Sequence, residues 1–191
     1  MGRSASPSRP RPSGWGVFGE QLEIVRGLWG SGPFSFEGRH YRLGPVDPLP
    51  KPENPWLVVG GATGPQSVAL AARFADEYNT VFATAQQCRE RRAAVDAAWS
   101  DAGRSGARFS LMTGAVIGRN RAECDARKHA IGERRDDPDF EPPSSWIHGT
   151  LDAARAQLSD LAQAGVDRVM LQLLLHEDLE QIELIGRDLS R

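Results

Sequence analysis

Residues 50–79, PKPENPWLVVGGATGPQSVALAARFADEYN, contain one complete turn of an alternating α/β chain: strand, glycine turn, helix and the next strand. Trp56 to Val59 is an apolar run without polar alternation, the pattern of a strand buried on both faces of a parallel sheet. Gly60 and Gly61 end it, and Pro65 suits the first position of a helix, where its missing N–H costs nothing. Unpaired amides and the positive end of the helix dipole point the same way at such a start, so the turn is suited to an anion such as phosphate. A Gly-Gly turn serves equally well to let a helix pack close to a strand. Both readings stand at this point.

Upstream, Phe18, Leu22, Val25 and Trp29 recur at helical spacing and Gly30 follows the last turn, which predicts a helix from Phe18. Phe34-Ser35-Phe36 and Arg39-His40-Tyr41 flank Glu37-Gly38, so a hairpin with a two-residue link is expected. Five prolines between Pro45 and Pro55 then carry the chain without helix to the Trp56 strand. Met1 to Gly16 is Arg, Ser, Pro and Gly with little to bury, and residues 1–17 are expected to form a tail that is disordered or foreign to the rest of the chain.

Downstream, Tyr78 to Phe82 reads as a second strand, and Thr84 with Gln87 forms a capping box for a helix to about Ala102, stopped by Gly103. Phe109 to Ile117 is a third strand. Asn120 with Glu123 caps the next helix, which fades before Arg134. A proline-rich acidic linker covers Asp136 to His148. Thr150 caps a helix striped with Leu151, Ala154, Leu158 and Leu161, and Gly165 turns the chain into a fourth strand, Arg168 to Leu174. The last helix shows Leu179, Ile182, Ile185 and Leu189 on one face, and these stripes are read as core. The four strands are expected to be parallel neighbours in sequence order, with right-handed crossovers. A full (β/α)8 barrel needs about 250 residues and eight such units; this chain of 191 residues holds four, half a barrel by count.

The net charge of −2 and a pI near 6.1 give no reason to expect nucleic acid. No apolar run reaches the roughly 20 residues needed to cross a bilayer and no signal-peptide core is present, so a cytoplasmic protein without a membrane partner is expected. Cys88 and Cys124 lack CxxC spacing and a neighbouring histidine, which reads as two small buried or half-exposed thiols rather than a disulfide or metal site.

From Phe18 onward the chain resembles the carboxy-terminal half of the luciferase-like flavin- or deazaflavin-dependent oxidoreductases, whose fold is a (β/α)8 TIM-type barrel. The resemblance is carried by GEQLEIVRGLW with FSFEGRHYRL, by the 50–79 segment, by LMTGAVIGRNRAE, by GTLDAARAQLSDLAQAGVDRVMLQ and by DLEQIELIGRDL. It implies residues 18–191 as that half-domain, and hydride transfer or monooxygenation of a small organic substrate. Coenzyme F420 is the implied cofactor, with FMN as the alternative, bound at the carboxy-terminal face of the strands. The family's glycine turn falls on Gly60, Gly61, Ala62 and Thr63, with Asn79 as a further cofactor-binding position and Thr80 and Gln172 as lesser ones on the same face.

Four earlier strands of the family have no counterpart here, so no catalytic residue is assigned. His40, His129, His148 and His176 are scattered without a Ser or Cys partner and read as surface or structural. The abrupt change near Phe18 fits an altered reading frame or misplaced start, the alternative being a genuine half-barrel with its own tail. Open strand edges predict self-association or a homo-oligomer. Two other functional readings remain: a non-catalytic fragment or dimerising half-barrel, and an unrelated phosphate-ligand-binding α/β module that uses the Gly60–Gly61 turn.

Overall fold

The computed structural model describes residues 14–61 and 64–189, which fall into two compact units divided after Trp56. In the first, helix α1 (Gly14–Trp29) precedes a two-stranded antiparallel sheet of β1 (Phe34–Glu37) and β2 (Arg42–Val46). The helix begins at Gly14, before the expected Phe18, so Gly14 to Gly16 are helical; the edge-to-face contact of Trp15 with Phe18, centroids 6.4 Å apart, gives this first turn something to pack. Residues 1–13 of the expected tail lie outside the described residues.

The hairpin also departs from expectation. Glu37 pairs with Arg42, so the link is the four residues Gly38 to Tyr41, closed by Gly38 N–H donating to Tyr41 O at 2.8 Å. The cause is Glu20 on α1. Its carboxylate accepts from the backbone N–H groups of Arg39, His40 and Tyr41 at 2.8, 2.9 and 3.0 Å, which holds these residues as a loop rather than a strand.

The second unit is built from β/α units of the barrel type: β3 (Val58–Gly60), α2 (Pro65–Phe74), β4 (Glu77–Val81), α3 (Ala85–Asp101), β5 (Arg108–Gly118), α4 (Arg121–Arg135), β6 (Ile147–Thr150), α5 (Leu151–Gln163), β7 (Arg168–Gln172) and α6 (Leu179–Asp188). All strand pairs in its five-stranded sheet are parallel. The four expected strands are neighbours in the order β3-β4-β5-β7. Strand β6 was not expected. It emerges from the Asp136–His148 linker and pairs with residues 115–118 of β5, beyond the residues 110–114 that pair with β7. Four residues are too few to show a period, and Trp146 holds the strand in place: it is buried, tilted against Phe140, and clusters with Val116, Ile131 and Leu175.

Strand β3 is shorter than expected and is not buried on both faces. Val59 is buried, whereas Trp56 and Val58 are exposed, and β3 is the terminal strand of its sheet among the described residues. On the helix side the core is closely packed. Tyr78 stacks on Phe109 with centroids 6.3 Å apart, and Leu111, Ile117, Val95 and Trp99 are essentially inaccessible.

Caps follow the sequence in part. Thr84 Oγ1 accepts from Gln87 N–H at 3.3 Å while Gln87 Oε1 accepts from Thr84 N–H at 2.9 Å, the reciprocal box expected. At α4, Asn120 caps Glu123 N–H, but the Glu123 carboxylate reaches the N–H of Arg119 rather than that of Asn120. Thr150 sits at the N-cap of α5 without a side-chain cap bond. In α6 the buried residues are Gln181 and Leu184, while Leu179 and Ile182 of the expected core stripe are exposed. Polar anchors set this rotation. Gln181 Oε1 accepts from the buried Ile117 N–H at 2.9 Å, and Asp178, the N-cap, pairs with Arg127. An unmet buried amide costs about 1–3 kcal/mol.

Candidate functional site

Strand alternation sorts the candidates into two faces. Tyr78 Oη lies 3.2 Å from Ser67 Oγ of α2, and Thr80 Oγ1 accepts from Arg91 Nη1 of α3 at 2.6 Å, so both face the helices. Thr80 is therefore removed from the site: it is fully buried and serves as the partner of Arg91. Asn79 is on the opposite face, where its Nδ2 donates to Ser110 Oγ at 2.9 Å. The register places Gly60 beside Asn79, Asn79 beside Ser110, and Ser110 beside Arg168. Gln172, paired with Gly114, shares that face. Two rows toward the amino-terminal end, Glu77 is fully buried and its carboxylate accepts from Arg168 Nη2 at 2.6 and 2.7 Å, which ties β4 to β7 across β5.

The glycine turn stands at the carboxy-terminal end of β3. A Cβ on Gly60 would lie 3.2 Å from Asn79 O and 3.3 Å from Asn79 Cβ, so a side chain there would press on the neighbouring strand. Gly61 is different. Its φ is +147°, a conformation that side chains rarely adopt, and among the described residues no atom beyond its chain neighbours lies within 4 Å of where a Cβ would stand. Gly64 is the N-cap of α2 and Pro65 its first residue, as expected. The amides are less free than the sequence suggests. Gly61 N–H donates to Asn79 O at 3.4 Å, and the N–H groups of Ser67 and Val68 both donate to Gly64 O. Ala62 and Thr63 lie outside the described residues.

Sequence reading missed Ser110, Glu77 and Arg168 on this polar face. A carboxylate inside a short strand, as in ADEYN, was the available signal, because a buried acid demands a cationic partner from another strand. Burial pushes the Cys88 and Cys124 thiols up, away from the reactive thiolate form. A cavity of about 440 Å³ bounded by Leu158, Val169, Leu171 and Ile185 lies on the helix side of β7, not on the Asn79 face.

A family profile described as luciferase-like monooxygenase matches residues 2–188. The chain belongs to the luciferase-like monooxygenase family. Solved luciferase-like structures share its fold. The coenzyme F420-dependent tetrahydromethanopterin reductase from Methanopyrus kandleri superposes with a TM-score of 0.72 at 17% identity, covering 91% of this chain and 62% of its own. EDTA monooxygenase from a Chelativorans species gives 0.70 at 21% identity, with 94% and 62% covered. The oxygenating constituent of 3,6-diketocamphane monooxygenase from Pseudomonas putida, in complex with FMN, gives 0.67 at 17% identity, with 90% and 61% covered. The chain thus spans about three fifths of the length of these luciferase-like proteins. No curated protein sequence matches it. No described helix is long and apolar enough to cross a membrane.

Proposed function

We propose that this luciferase-like chain takes part in hydride transfer or oxygenation of a small organic substrate with a bound deazaflavin, coenzyme F420, or alternatively FMN, the phosphate end of the cofactor lying at the turn of Gly60 to Thr63. The observation that carries the reading is Gly61, whose φ of +147° and surroundings clear of described atoms beyond its chain neighbours stand next to the amino terminus of α2. Among these residues, Gly61 keeps the backbone clear for the ligand, Asn79 is fixed by Ser110 beside the turn, and the α2 dipole favours the anionic end. The cofactor, when bound, supplies the hydride or oxygen chemistry, and the chain binds, orients and shields it.

The test is fluorescence titration of the purified chain with F420 and with FMN, repeated on Gly61→Val. Saturable binding to the natural chain that falls at least tenfold in the variant is the expected result. Binding of inorganic phosphate without either cofactor would replace this reading with a phosphate-ligand module, and no binding at all would leave a non-catalytic fragment.

A further inference from the structure

Phe82 directly follows β4 with φ at +44°, in the left-handed region that a bulky side chain avoids and a glycine enters freely. Its neighbours fix it there. Phe82 N–H donates to Met112 O at 2.9 Å, Ala83 is buried, and Thr84 is locked by the reciprocal cap with Gln87. The ring gains little packing in return, since Phe82 is 42% exposed while Phe109 on the adjacent strand is 0% exposed. Backbone strain that burial does not repay clusters at active sites, ligand clamps and switch regions.

We propose that Phe82 is a ligand-contact residue, its phenyl forming an apolar wall for the planar ring of the flavin or deazaflavin. This rests on the cofactor reading given under Proposed function. Gly60 pairs with Asn79, so Phe82 stands three residues, roughly 10 Å at about 3.3 Å per residue, beyond the row of the glycine turn. That separation matches the scale of the sugar-alcohol chain between the phosphate and the ring system of such cofactors. Aromatic faces and edges pair favourably with a flat conjugated ring, and Phe82 offers the ring without a competing hydroxyl.

The experiment compares the natural chain with Phe82→Ala, Phe82→Gly and Phe82→Tyr, by F420 and FMN titration and by thermal unfolding of each. Affinity falls about tenfold in the Ala and Gly variants and is retained in Phe82→Tyr. Phe82→Gly melts above Phe82→Ala, which marks the left-handed conformation in solution independently of any ligand. Unchanged affinity in the Ala and Gly variants, with the natural chain binding normally, overturns the role of Phe82 and leaves the glycine-turn reading standing. A natural chain that binds neither cofactor overturns both. A Phe82→Ala variant more stable than Phe82→Gly overturns the strained conformation and the proposal built on it.

Discussion

The Asp178 carboxylate caps α6 through Gln181 N–H and pairs with Arg127, whose Nε and Nη2 donate to it at 2.6 and 3.2 Å. The hydrogen bond from Arg127 is the main cause that holds the Asp178 pKa below the ordinary aspartate range, burial working against it. A carboxylate with a lowered folded pKa contributes stability above the unfolded value, about pH 4, and that contribution is lost as pH falls through the folded value. Asp178→Asn is therefore expected to lose about 2 kcal/mol at pH 7, a discount from the cost of breaking a fully buried pair because Glu123 still serves Arg127. Urea unfolding at pH 7 and below pH 4 checks this: the gap between natural chain and variant narrows in acid, and a gap independent of pH would refute it. At Gly61, the strain of a valine at φ +147° costs on the order of 1–3 kcal/mol whichever role the residue has. Thermal unfolding alone does not separate the roles. Affinity of the folded protein does, falling if the backbone meets the ligand and staying constant if the glycine serves only the turn.

Among the described elements, β5 has the most strand partners, pairing with β4, β7 and β6 along its length. Gly114 lies at the change of partner, and the Trp146 ring occupies the place where its Cβ would be. Gly114→Ala should therefore lower stability by about 1–3 kcal/mol through overpacking, read as a lower urea midpoint at unchanged slope. An unchanged midpoint would show that Trp146 can move aside. This contact also shows where sequence reading stops. The capping box of Thr84 and Gln87, the helix start at Pro65 and the strand at Phe109 are local patterns, set by neighbours within four residues, and all were legible. Strand β6, the four-residue hairpin link and the face of α6 depend on Trp146, Glu20 and Gln181, each bonded or packed to a residue distant in sequence. The candidate site divides in the same way: the glycine turn is local and was legible, whereas the Asn79–Ser110 contact and the Glu77–Arg168 pair exist only once the strand register is set.

For the molecule as a whole, β3 has a strand partner on one side only among the described residues, and Val58, Leu179 and Ile182 are exposed, features that favour association through strand edges and apolar surface. We expect the purified chain to self-associate, seen in static light scattering as an apparent mass that rises with concentration; a constant monomer mass would contradict this. Binding of the cofactor at the glycine turn is read from amide chemical shifts in ¹H–¹⁵N correlation spectra of the labelled chain, recorded during titration with F420 and with FMN. The Gly60, Gly61, Gly64 and Asn79 amides are expected to shift together and saturate with one cofactor. Shifts confined to the helix side of β7, or no shifts at saturating cofactor, would contradict it.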